Sequence, residues 1–282
     1  MTIIKMYLFF LLIFVAALGQ GEVGAQEKSP AVAEKMWGEV LPRINAQLKQ
    51  IDEEFSDITL EDGFNGIYGR QQLDLKTREI CTIMMLVFLG KPEELTLHLA
   101  AGLKVGWKVD EIRELMILSA LPAGWPSALN GLRFLGAWAE KNKIPMPAPH
   151  ALRKDYRTMD WFKVGSELGG KVYGKTGWED YLQSLAVLEP ELVKFSVGQM
   201  LGKFLSRGRI DDRTRELCFV AGTGVIRNQK ALKMHIRGAM NSGATATEVK
   251  EVLFQIGLYG GMGASLEALE VFHSLAANEG KK

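Results

Sequence analysis

The sequence predicts an all-α protein made from one helical unit used twice. Apolar residues recur at three- and four-residue spacing, as in Ile80, Ile83, Met84, Val87 and Phe88. No stretch shows sustained two-residue alternation or the turn residues of a hairpin. The third observation is a repeat: Asp74-Leu75-Lys76-Thr77-Arg78-Glu79-Ile80-Cys81 returns as Asp211-Asp212-Arg213-Thr214-Arg215-Glu216-Leu217-Cys218, 137 positions later. The same offset carries His98 onto His235, Gly106 onto Gly243, Glu111 and Glu114 onto Glu248 and Glu251, and Gly124 onto Gly261. A spacing kept through loops as well as helices marks a tandem duplication, since a solenoid needs three or more short repeats.

The elements follow in chain order. Met1 to Ala25 reads as an export signal: Lys5, then an apolar run from Met6 to Leu18, then small residues Val23 and Ala25 before Gln26. The run is too short to span a bilayer, which takes about 20 apolar residues. The expected mature chain starts near Gln26, secreted or periplasmic, with no membrane association after cleavage. Residues 26–72 form a helical leader, and residues 73–141 the first repeat. In that repeat a helix from Arg78 to Leu89 is followed by one opened by Pro92 and ended by Gly106. A third helix covers Val109 to Leu121, and Pro126 opens a fourth. Residues 142–150 hold three of the nine prolines and form the linker. Residues 151–209 are the helical leader of the second half, and residues 210–278 the second repeat.

Composition bounds the function. With 47% hydrophobic and 24% charged residues among 282, the chain is globular rather than disordered or collagen-like. A net charge of +1 without a basic block argues against a nucleic-acid partner. Two cysteines exclude four-thiolate zinc sites and allow one bridge at most. Gly260-Gly261-Met262-Gly263 follows a helix and lacks the Gly-Lys-Ser/Thr ending of a phosphate loop.

The order of short motifs resembles the carboxymuconolactone decarboxylase family. In the first copy these are Thr77-Arg78-Glu79, Glu94-Leu95-Thr96-Leu97-His98, Gly106, Glu111-Ile112-Arg113-Glu114 and Gly124-Trp125-Pro126-Ser127-Ala128. In the second copy His235 to Gly243 and Tyr259-Gly260-Gly261 are similar to the decarboxylase branch. The resemblance implies a helical fold that assembles into rings, with tandem members tending toward homotrimers. It also implies cofactor-free chemistry on a small anionic metabolite, a lactone or keto acid. The alkylhydroperoxidase branch of the family needs a Cys-x-x-Cys pair ahead of the histidine. Those positions are Lys91 and Glu94 in the first copy and Asn228 and Ala231 in the second, so the thiols required for peroxide chemistry are missing.

Acid–base chemistry remains the leading expectation. Glu94 and His98 are four apart on one helix and share a face, where a carboxylate orients an imidazole. Glu79 matches the upstream acid that the resemblance implies. The second copy keeps Glu216 and His235 but has Ala231 in place of Glu94, so the first copy is expected to do the chemistry. There His98 is the general acid, Glu94 its orienter and Glu79 an assistant in proton transfer. Arg78, Arg215, Arg237 and Tyr259 are candidate substrate-binding residues, although an arginine beside a glutamate also pairs locally. No metal and no cofactor is expected. Two alternatives stay open: residual redox work by Cys81 or Cys218, and a non-catalytic secreted binding or assembly protein.

Overall fold

The computed structural model describes residues 32–279; the expected export signal and its cleavage site lie outside the described residues. Among the described residues every regular element is helical. The leader contributes α1 (Val32–Trp37), α2 (Leu41–Ile51) and α3 (Glu53–Asp57), and then a wide π-helical stretch over Ile58–Asn65. The first repeat follows as α4 (Leu75–Leu89), α5 (Pro92–Lys104), α6 (Val109–Leu118), the short α7 (Ala120–Ala123) and α8 (Trp125–Lys141). The second half repeats the plan: α9 (Trp161–Tyr173), α10 (Lys175–Leu188), α11 (Pro190–Lys194) and a π-helical stretch at Phe195–Gly202. It finishes with α12 (Asp212–Val225), α13 (Gln229–Asn241), α14 (Ala246–Gly260) and α15 (Met262–Glu279).

The duplication reaches further back than its motifs. The π-helical stretches Ile58–Asn65 and Phe195–Gly202 keep the 137-residue offset, as do α3 and α11 before them. Each leader is therefore part of its repeat unit. Both α4 and α12 are started by an aspartate: the Asp74 and Asp211 side chains accept the backbone N–H of Thr77 and Thr214, each at 2.8 Å. That interaction satisfies one of the orphan donors of a helix start. Both helices end in a left-handed residue, Gly90 at φ 64° and Arg227 at φ 59°, closed by the Lys91 and Asn228 N–H groups on the carbonyls of Leu86 and Thr223.

The core forms where α4 packs on α12. Almost every side chain of both helices is buried, which is why neither shows a polar stripe. Cys81 and Cys218 are free thiols with no exposure, and they are neighbours where α4 packs on α12. Equivalent residues thus meet where the two copies pack. Paired ion bridges also join the copies. Arg70 grips Glu251 through Nε and a terminal nitrogen at 2.8 and 2.7 Å, and its counterpart Arg207 grips Glu114 at 2.6 and 2.7 Å. The glutamates that recur in the Glu-x-x-Glu motifs thus tie one copy to the other. The proline-rich linker lies against α6, where Arg113 donates to the carbonyls of Pro147 and Ala148 at 2.7 and 3.1 Å.

Candidate active site

Each copy brings one histidine of its second repeat helix against one glutamate of the first. In the first copy His98 Nδ1 lies 2.7 Å from Glu79 Oε1, and in the second His235 Nδ1 lies 2.8 Å from Glu216 Oε2. Both pairs are buried. The ion partner of His98 is Glu79, nineteen residues upstream on α4, whereas Glu94 is exposed in the first turn of α5. The second copy therefore loses nothing essential by having Ala231 at the matching position. An aromatic ring from each leader stands edge-on to the imidazole: Trp37 over His98 at 6.1 Å and 69°, Tyr173 over His235 at 6.1 Å and 65°.

From here the copies diverge. The His98 ring is enclosed by Trp37, Phe64 and Tyr259, and its Nε2 faces the Tyr259 hydroxyl at 3.3 Å. Tyr259 also bonds Tyr68, which bonds Thr82. Gln255 closes this network by donating to Thr82 Oγ1 at 2.7 Å and to the Arg78 carbonyl at 2.9 Å. Burial lifts the Tyr68 and Tyr259 phenols well above their ordinary range, and the nearby Glu79 carboxylate adds to it, so both remain neutral. Tyr259 comes from α14 of the second copy and completes the site of the first.

The reciprocal position carries Pro122, which has no hydroxyl. Leu121 and Pro122 instead form part of the wall of a cavity of about 570 Å³ at His235. The other walls come from Tyr173 at the end of α9, from α10, from the second π-helical stretch and from α13. His235 Nδ1 is engaged by Glu216 while Nε2 bonds no protein group, so the imidazole offers one nitrogen to the cavity. Lys230, Lys233 and Arg237 bring positive charge to the lining, against Asp180, which lies 3.8 Å from Arg237. Around them the lining is largely apolar, with Leu185, Met200, Leu201 and Met234.

The two arginines of the Thr-Arg-Glu motifs do not line this cavity. Arg78 is fully buried and donates to Glu251 at 2.7 Å and to the Arg70 carbonyl at 3.0 Å. Arg215 turns to its own neighbours, Glu216 at 3.0 Å and Asp212 at 2.7 Å. Of the sequence candidates, His235 and Arg237 meet in the cavity, with Glu216 behind the histidine. His98, Glu79 and Tyr259 meet in the first-copy counterpart, and Glu94 joins neither. Tyr173, Tyr181 and Ser184 were not candidates, because they come from the leader, where no motif drew attention. Extending the 137-residue offset into the leaders would have marked that segment. Among the described residues no cluster of three or more His, Cys, Asp or Glu side chains is arranged to hold a metal ion. Neither cysteine reaches the cavity, and burial pushes the Cys218 thiol well up, with Cys81 adding to the shift.

The carboxymuconolactone decarboxylase family profile matches residues 54–137 and again 190–274, together more than half of the chain. The chain belongs to the carboxymuconolactone decarboxylase family. Each match begins inside the leader, in agreement with the repeat unit seen in the structure. Among curated relatives, a 4-carboxymuconolactone decarboxylase of Acinetobacter baylyi is 30% identical over 118 residues, covering 40% of this chain and 88% of the relative. A 15.0 kDa protein encoded in the nqo9-nqo10 intergenic region of Paracoccus denitrificans is 32% identical over 103 residues, 35% of this chain and 75% of that protein. A crystal structure described as a γ-carboxymuconolactone decarboxylase subunit of Burkholderia xenovorans shares the fold. Its TM-score is 0.53 at 23% identity, over 87% of this chain and 98% of that one.

Proposed function

We propose that this family member is an exported, cofactor-free decarboxylase-like enzyme that acts on a small anionic lactone or keto acid, and that its working site is the second-copy cavity at His235. The observation that carries the reading is the pairing of a fixed histidine with room beside it. His235 is held by Glu216 at Nδ1 and presents Nε2 to a space of about 570 Å³. The relative from Acinetobacter baylyi, named as a 4-carboxymuconolactone decarboxylase, supports the reaction class.

The chemistry follows from the lining. Lys230, Lys233 and Arg237 draw a carboxylate into a pocket that is otherwise apolar. The C–C bond to that carboxylate breaks and CO₂ leaves. The electron pair moves onto a conjugated carbonyl, and the resulting dienolate must be stabilised and then protonated on carbon. His235 supplies that proton from Nε2 as an imidazolium, and Glu216 accepts the Nδ1–H and keeps the ring in register. The Met1 to Ala25 segment supports export of the mature chain.

The test is turnover of γ-carboxymuconolactone and related lactones by the full-length mature protein. His235→Ala is expected to lower kcat by about 10²–10⁴-fold, the ordinary contribution of a general acid. His98→Ala is expected to keep turnover if the fold survives. Full activity in His235→Ala would overturn the assignment.

A further inference from the structure

Exposed apolar side chains recur at the repeat offset. Where α2 meets α3, Ile51, Phe55 and Ile58 face solvent. Their counterparts 137 positions later, Leu188, Leu192 and Phe195, are exposed as well, with Ile51 at 74% and Leu188 at 72%. The same holds at the starts of α8 and α15, where Trp125 and Leu129 match Met262 and Leu266. Scattered exposed hydrophobics are ordinary, whereas grouped ones mark an interaction surface. Only Leu129 and Leu266 are the same residue; the other four pairs share apolar character and exposure alone. The His98 and His235 sites differ, so this surface pattern is separate from the chemistry inside.

The residues are grouped in space. Phe55 and Ile58 are three apart on one helical face, as are Leu192 and Phe195, and Trp125 and Leu129 are four apart. Trp125 of the first copy and Phe195 of the second line one groove, and the Trp125 ring stands edge-on to Phe204 at 5.9 Å. The exposed apolar surface therefore runs on from the contact between the two copies. Its flanks differ in charge. Around Phe55 the first copy exposes Asp52, Glu53, Glu54 and Asp57, whereas the matching positions of the second are Glu189, Pro190, Glu191 and Lys194. Four acids in one strip thus face two acids and a cation in the other.

We propose that this surface binds a second molecule of the same chain head to tail, the Phe55 strip of one molecule packing on the Leu192 strip of the next. Two strips of one pattern on a single chain fit a partner that carries the same two strips. Like charges across an interface disfavour association, so two Phe55 strips with their four acids each do not pair. Pairing two Leu192 strips would leave both Phe55 strips uncovered. Head-to-tail pairing covers both kinds of strip and brings Lys194 to the acidic side. A contact of this heterologous kind repeats from molecule to molecule until the assembly closes on itself. It does not depend on the reaction proposed at His235.

Sedimentation of the full-length mature protein across a concentration series tests this. Wild type is expected to run as an oligomer. Phe55→Glu adds a fifth acid to the first strip, and Leu192→Glu adds a charge to the second. Each variant alone is expected to run as a monomer, because each has lost one side of the head-to-tail contact. A mixture of the two restores a single contact, between the intact Phe55 strip of one and the intact Leu192 strip of the other, and is expected to give a dimer and nothing larger. Leu152→Glu, at an exposed apolar residue away from both strips, is expected to keep the wild-type mass. All three positions are exposed, so the helical circular dichroism of each variant is expected to match wild type. A monomeric wild type would overturn the proposal, and so would strip variants that keep the wild-type mass. A dimer from Phe55→Glu alone would show Leu192 strips pairing with each other and overturn the head-to-tail arrangement. A monomeric wild type that floats with phosphatidylglycerol vesicles would overturn it in favour of a membrane surface.

Discussion

At the scale of single residues, the copies differ by exchanges that each have a physical reading. Tyr259 and Pro122 occupy matching positions, and one hydroxyl decides whether a histidine nitrogen is occupied or free. Gly90 and Arg227 also match, and both sit in the left-handed region. Glycine adopts that conformation freely, whereas an L side chain is strained there by about 1–2 kcal/mol. Arg227 recovers part of the cost through an exposed pair with Glu267 at 2.8 Å, an interaction worth up to about 1 kcal/mol. Arg227→Gly is therefore expected to raise Tm by about 1–3 °C. A thermal scan that shows a fall would mean the Glu267 pair outweighs the backbone strain.

At the scale of elements, the motif residues divide by task. Thr-Arg-Glu supplies a helix start, a buried cation and a histidine partner in three consecutive positions. Glu-x-x-Glu supplies a capping acid, seen where Glu248 accepts from the Thr245 N–H at 2.7 Å, and then a clamp residue facing the other copy. Glu251 holds both Arg70 and the fully buried Arg78. Removing it strands a buried guanidinium, so Glu251→Ala is expected to cost about 3–5 kcal/mol by denaturant unfolding. A loss below about 1 kcal/mol would show that Arg78 finds enough support from the Arg70 carbonyl alone. The helices were legible from spacing, although α4 begins at Leu75, three residues ahead of the expected Arg78, because the Asp74 side chain caps it there. The closeness of Glu79 to His98 was implied only by the family resemblance, because nineteen residues of sequence separate two groups that helix packing brings to 2.7 Å. Glu94 was the better candidate by sequence spacing alone, yet its position on the first turn of α5 leaves it in solvent.

At the scale of the whole molecule, two copies share one core and one set of crossing ion pairs, so they are expected to unfold together. Acid should weaken that structure. Burial disfavours ionisation of Glu251, Glu248 and Asp212, but their bonds outweigh it: Arg70 and Arg78 at the first, Thr245 and Arg213 at the second, Lys171 and Arg215 at the third. All three carboxyls thus lie below their ordinary values in the folded state. The unfolded chain then binds more protons in acid, so stability is complete above the unfolded carboxylate range, about pH 4–5, and falls as pH drops through the folded values. Urea midpoints that stay level from pH 7 to pH 3 would contradict this.

The amino-acid sequence by itself determined the helical class, the duplication, the family likeness and the identity of both histidines. These rest on local spacing and on a repeated pattern, which survive without knowledge of packing. Only the tertiary structure shows the cavity beside His235 and the Tyr259 hydroxyl against His98. His98 and His235 carry equivalent glutamate partners and the same burial, and the difference between them arrives from elsewhere in the chain. Tyr259 crosses from the second copy to one ring, and Pro122 crosses from the first to the surroundings of the other. A cavity depends on what neighbouring elements leave unfilled, so it belongs to the packed molecule rather than to any motif within it.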